Sequence, residues 1–119
     1  MAWGYRVYLC LINHQNYSSV MNLQKMLQEP TATVVDVRER WEFTMGKAEG
    51  SINIPLGEVM GRIGEFEAMS KPLILICQSG NRSGIAAAIL HGKGVREVYN
   101  GGSWMDVKAL QSRFTTTKA

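Results

Sequence analysis

The clearest strand pattern in the chain is LILIC, residues 73–77, and it gives way at once to polar and glycine residues, QSGN at 78–81. A run of this length reads as a strand buried on both faces. TVVDV at 33–37 is β-branched and nearly all apolar, and it reads the same way. SINIP at 51–55 is a shorter strand stopped by its proline, and REVYN at 96–100 is the last strand. Helical spacings lie between these runs. Met21, Leu23, Met26 and Leu27 suit a short helix over 21–28, and Pro30 disfavours helical geometry at Glu29. RERWEF at 38–43 predicts a helical turn closed near Gly46. Positions 56, 59, 60, 63, 66 and 69 are apolar in helical register. Gly57, Gly61 and Gly64 each cost about 1 kcal/mol of propensity there, so separate helical turns are expected rather than one long helix. SGIAAAILHGKG at 83–94 predicts a helix beginning near Ser83, with Gly92 or Gly94 as its stop. GGS at 101–103 reads as a turn, and WMDVKALQSRF at 104–114 as the closing helix.

Strands alternating with helices predict an α/β domain with a parallel sheet. In such a sheet, ligands bind outside the carboxyl ends of the strands, beside the starts of the helices that follow. Residues 36–38 and 77–82 both fall at such ends. Asp36 and Arg38 are therefore candidate site residues, and a supporting role, with Arg38 paired to Glu42 or Asp36 in the floor of the site, is favoured over a catalytic one.

The 119 residues fit one domain, and 45% hydrophobic with 19% charged is ordinary globular composition. The net charge of +3 is spread along the chain, which favours a mixed solvated surface over nucleic-acid binding. The two cysteines, Cys10 and Cys77, make no disulfide framework and suit a reducing compartment. The apolar run at 7–12 is shorter than a signal peptide's, and no stretch approaches membrane-spanning length. A cytoplasmic location without membrane association is expected. Residues 1–15 read as an extension, a strand or an irregular segment, and 16–119 as the domain. His14 and His91 have no metal-ligand spacing with each other or with the cysteines, so no metal is expected. His91 suits the negative end of its helix dipole, Trp41 and Trp104 read as packing anchors, and the helically spaced methionines read as core.

Cys77 stands where this architecture places chemistry. Its sulfur would face a helix N-terminus, where unpaired N–H groups and the helix dipole favour negative charge. Arg82 adds a cation, and both effects lower a thiol pKa. The loop QSGN can turn successive N–H groups inward as an anion-binding nest, with Gly80 permitting the curl. Gln78, Ser79, Gly80, Asn81, Arg82 and Ser83 are thus the candidate substrate-binding residues around a nucleophilic Cys77.

CQSGNRSG resembles the active-site loop of the rhodanese-like sulfurtransferases, C-x-x-G-x-R-S. Three further blocks resemble that family in order and spacing. They are VVDVRERWEF (Asp36, Val37, Arg38, Glu42), GKAEGSINIP (Gly46, Gly50, Ile52, Asn53, Ile54, Pro55) and VYNGGSWMDV (Gly101, Gly102, Trp104). Lys47 stands where histidine is usual, Ser51 where alanine is common, and Gln78 where thiosulfate-using members often have arginine. The resemblance implies a three-layer domain with a mostly parallel central sheet of about five strands flanked by helices. It implies a sulfur relay: Cys77 takes a sulfane sulfur from a donor such as thiosulfate and passes it to a thiol or protein-thiol acceptor. No cofactor is implied, and a monomer or weak homodimer is expected. Two other readings stay open. Cysteine phosphatases and arsenate reductases also pair a cysteine with an arginine, but five residues separate them, against the four here. A non-enzymatic interaction module of the same fold commonly lacks the cysteine.

Overall fold

The strand Leu73–Cys77 lies inside the sheet, and all five of its residues are buried. The computed structural model describes residues 23–118. Residues 23–28 form helix α1. There follow β1 (Thr33–Asp36), α2 (Arg40–Met45), β2 (Ile52–Asn53), α3 (Leu56–Val59), α4 (Ile63–Ala68), β3 (Leu73–Cys77), α5 (Asn81–Gly92), β4 (Val98–Ser103) and α6 (Trp104–Lys118). A 3-10 turn, Met60–Arg62, joins α3 to α4, so the glycine-bearing stretch does break into separate turns. Helix α5 starts two residues earlier than the sequence pattern predicts, at Asn81.

Among the described residues the sheet has four strands, ordered β2-β1-β3-β4 and parallel throughout. The segment at 7–12 lies outside the described residues, with Cys10 and His14. The period of two along β3 sorts its side chains to opposite faces. Leu73, Leu75 and Cys77 join Val35, Phe66, Ala86 and Leu90 beneath α3–α5. Ile74 and Ile76 join Val34 and Val107, packed with Leu23 and Met26 of α1 and Trp104 of α6. The result is three layers, and Cys77 is committed to the α5 face.

Three sequence readings are corrected. GGS at 101–103 is not a turn: β4 runs through it to Ser103. Leu75 pairs with Asn100 and Ile76 with Gly102, so Gly101 is an extra residue in a β-bulge. A Cβ on Gly101 would lie 2.6 Å from Ile74 Cγ2 and 3.2 Å from the Leu75 carbonyl oxygen, so tertiary packing places a glycine here. Trp41 is not a packing anchor, being 69% exposed, whereas Trp104 does pack on the core. Of the methionines, Met26 and Met69 pack on the core, but Met45, Met60 and Met105 are exposed. His91 ties the end of α5 to β4 through an Nε2 contact of 2.8 Å with the Val98 carbonyl oxygen. Among the described residues, no helix is long and apolar enough to cross a membrane.

Candidate active site

From β1 the chain steps outward to β2, then returns to lay β3 on the other side of β1. This reversal leaves a crevice outside the carboxyl ends of β1 and β3, where open α/β sheets bind ligands. Asp36–Arg38 and the loop from Cys77 border it.

Cys77 is the last residue of β3, and the loop curls back over its sulfur. Gly80 N donates to Sγ at 3.0 Å, and Ser83 N and Ser83 Oγ each approach it at 3.4 Å. Gly80 makes the curl possible with φ +99, which residues bearing a Cβ rarely adopt. It also caps α5, its carbonyl accepting from Gly84 N at 3.0 Å. Burial pushes the Cys77 thiol up. The Ser83 hydroxyl, then the N–H groups of Ser83, Gly80 and Ser79, pull it down, and they outweigh burial, so the thiol lies below its ordinary range. These donors favour the ionised form of the sulfur.

Arg82 behaves differently from the sequence expectation. Its guanidinium grips the Glu42 carboxylate with both ends, at 2.7 and 3.0 Å, and makes no hydrogen bond to the sulfur. The Arg82 bond holds Glu42 down at about 2, despite the opposing effect of burial. Glu42 Oε1 also accepts from Glu39 N at 2.9 Å, closing the first turn of α2. Arg82 therefore staples α5 to α2 across the mouth. Attraction between Arg82 and a Cys77 anion is present but secondary to the Glu42 bond.

Asp36 and Arg38 lie together at the end of β1. Both are buried, and Arg38 reaches Asp36 through Nε (2.9 Å to Oδ1) and NH2 (2.7 Å to Oδ2). The rest of the guanidinium binds the Glu42 and Gly46 carbonyls at 3.3 and 2.7 Å and lies 4.5 Å from the Trp104 ring centroid. A buried pair of this kind persists because each guanidinium nitrogen has an acceptor. Asn53 completes it, donating to the Asp36 and Arg38 carbonyls at 2.9 Å. These contacts bind β1, β2, α2 and α6 together below the crevice.

The remaining predicted residues sit at the rim. The Gln78 carboxamide oxygen accepts from Trp104 Nε1 at 3.2 Å, which ties the loop to α6. Ser79, Gly80 and Asn81 border an open cleft of about 1030 Å³ that continues along β4 and α6. Sequence reasoning missed two residues of this assembly, Glu42 as the partner of Arg82 and Asn100 behind the loop. Among the described residues, no cluster of three metal-ligating side chains exists.

Comparison with known proteins agrees with this geometry. A family model for the rhodanese-like domain matches residues 19–109. The uncharacterized protein YqhL of Bacillus subtilis is 44% identical over 69 residues, which are 58% of this chain and 54% of that protein. The chain thus spans about half the length of that relative. Thiosulfate sulfurtransferase GlpE of Pseudomonas syringae is 35% identical over 74 residues, 62% of this chain and 69% of that protein. A solved structure described as a rhodanese with anions, from E. coli, is 33% identical with a TM-score of 0.56, covering 63% of this chain and 89% of that one. A cysteine cradled by loop N–H groups at the switch point of a parallel sheet, in a chain matched over these residues, leads to one assignment: this protein belongs to the rhodanese-like domain family.

Proposed function

We propose that this chain is a sulfurtransferase that relays a sulfane sulfur through a persulfide on Cys77. The observation that carries the reading is the Cys77 sulfur, which takes donors from Gly80 and Ser83 at 3.0 to 3.4 Å. These donors favour a thiolate, and the thiolate is the nucleophile. In the first half-reaction Cys77 attacks the outer sulfur of a donor such as thiosulfate. The donor's S–S bond breaks, and its electron pair leaves with sulfite. A Cys77 persulfide remains, its outer sulfur anionic inside the ring of N–H groups. In the second half-reaction a thiophilic acceptor, a small thiol or protein thiol (cyanide in an assay), attacks that outer sulfur and Cys77 leaves as thiolate. No electrons are gained or lost overall, so the relay calls for no redox partner.

The Asp36–Arg38 pair, Glu42 and Trp104 act here by fixing the loop's position, since none of them has a contact with the sulfur. The name of the GlpE relative supports the sulfurtransferase class. Thiocyanate formation with both thiosulfate and cyanide varied tests the reading. A covalent intermediate predicts parallel double-reciprocal lines, the pattern of a ping-pong relay. Intersecting lines would mean that both substrates bind before any sulfur moves, which contradicts it.

A further inference from the structure

Asn100 lies on β4, 23 positions beyond Cys77 in the sequence and outside the loop, yet it touches that loop twice. Its Nδ2 donates to the Gly80 carbonyl at 3.0 Å. Its Oδ1 accepts from Gly102 N at 3.0 Å and from the Ser83 hydroxyl at 2.7 Å. The amide orientation is therefore fixed: an oxygen must face the Gly102 N–H. The bulge at Gly101 brings the Gly102 N–H back onto the Asn100 side chain.

Ser83 Oγ also sits 3.4 Å from Cys77 Sγ. A serine hydroxyl has one proton, so it donates to one of these acceptors at a time. With the sulfur neutral, the shorter contact to Asn100 wins. With the sulfur anionic, a charge-assisted bond to sulfur competes, and forming it leaves Asn100 Oδ1 facing Ser83 Oγ with no proton between them. Ionisation of Cys77 thus sets the sulfur against Asn100 Oδ1 for the Ser83 proton, while Oδ1 keeps its bond from Gly102 N.

We propose that Asn100 is a positioning residue for Cys77, holding the Ser83 hydroxyl proton when the sulfur is neutral or capped and releasing it when the sulfur is a thiolate. The proton stays on the Ser83 oxygen throughout; only the hydrogen bond changes partner. Asn100 tempers the thiolate of the resting protein. Once the inner sulfur is capped as a persulfide and uncharged, Asn100 recovers the hydrogen bond from Ser83, and the inner sulfur loses a donor that would otherwise favour its departure. This rests on Cys77 being the nucleophile, as proposed above, and adds the group that sets its ionisation.

A purely structural role makes a different prediction. Removing the Asn100 side chain leaves the Gly80 carbonyl bonded to Gly84 N at 3.0 Å, so the start of α5 keeps its cap. The charged groups around the loop are unaltered. They are Arg82 of α5 paired with Glu42 of α2, the Asp36–Arg38 pair at the end of β1, Glu39 before α2, and, lining the cleft beside Asn100, Lys25 of α1 with Asp106 and Arg113 of α6. The truncation also removes one donor to the Gly80 carbonyl and the acceptor of Gly102 N, but of the three lost contacts only the one from Ser83 shares its proton with the sulfur.

The test is the pH midpoint of iodoacetamide alkylation of Cys77, measured in a Cys10→Ser background so that one thiol reports. Ser83→Ala should raise the midpoint by about one unit, the worth of one hydrogen bond to a charged group. Asn100→Ala should lower it by about half a unit, because Ser83 then donates to sulfur without competition. In the Ser83→Ala protein, Asn100→Ala should shift nothing further. Asn100→Asp keeps the acceptor for Ser83, loses the donor to the Gly80 carbonyl and adds negative charge; it should raise the midpoint, and by less in the Ser83→Ala protein, a difference that carries the test if the alanine variant does not fold. A midpoint that rises or stays in Asn100→Ala, falls equally without Ser83, or in Asn100→Asp fails to rise or rises equally without Ser83, overturns the proposal. Sulfur transfer plays no part in the readout, so such a failure leaves the sulfurtransferase reading standing, and the absence of transfer in the unaltered protein would be seen separately.

Discussion

Replacing Cys77 with serine should abolish thiocyanate formation, leaving only the uncatalysed background, while Cys10→Ser keeps it. The substitution is nearly isosteric, and the donors from Gly80 and Ser83 remain to bind an oxygen as they bind the sulfur. What disappears is the chemistry. A serine hydroxyl does not ionise near neutral pH, and no described base contacts this position to take its proton, as nucleophilic serines require. The folded state should tolerate the change, since the cradle already supplies polar partners for the new hydroxyl. Thermal unfolding close to that of the unaltered protein, with transfer at background, is the expected pair of results. Substantial transfer by the serine variant, or equal loss in the Cys10 variant, would remove Cys77 from its role.

Inserting one glycine after Gly80 should lower sulfur transfer by on the order of a hundredfold or more, the cost of losing one well-placed donor to a reacting anion. A persulfide puts its outer sulfur only about 2.05 Å from the cysteine sulfur, so its cradle must be narrow. Four residues separate Cys77 from Arg82, and within that span Gly80 N comes to 3.0 Å from Sγ. An added residue widens the ring and carries Gly80 N away from Ser83 N. A tetrahedral oxyanion, with four oxygens around its centre, should fit the wider ring better, so protection of Cys77 by phosphate or arsenate should improve. The far side of the loop, the Arg82–Glu42 staple, stays available to hold α5 in place. An insertion variant that is folded and transfers sulfur at the native rate would show that loop size does not decide the chemistry.

The parts of this site that were legible in the sequence are the local ones. A strand, a cysteine, a glycine-bearing loop and a helix lie within residues 73–92, and their relation follows from chain connectivity and from the dipole at the helix start. The Asp36–Arg38 pair spans two residues and was legible for the same reason. Contacts between distant segments were not. Glu42 meets Arg82 across 40 positions, and Asn100 meets Ser83 across 17. Nothing in the spacing of either pair announces the contact, which depends on how α2 and β4 sit against α5. Glu42 was visible as a partner for Arg38, four residues before it, because helical spacing supplies that pairing; the fold spends the carboxylate on Arg82 and lets Arg38 take the Glu42 carbonyl. Gly101 and Gly102 misled because glycine is depleted in strands. Here the close approach of Ile74 and Ile76 to the β4 backbone overrides that preference and makes a bulge of what reads as a turn. Trp41 misled in the opposite direction. Helix α2 is six residues long with none of them buried; it pairs Glu42 with Arg82 and Arg40 with Glu58, and leaves Trp41 between them in solvent.

The central claim is that sulfur rests covalently on Cys77 between donor and acceptor, and intact mass reports it most directly. The reduced, desalted protein incubated with thiosulfate should gain the mass of one sulfur atom, lose it on addition of cyanide, and show no gain as Cys77→Ser. An unaltered protein that takes up no sulfur, or a gain that persists in the Cys77→Ser variant, would contradict the account.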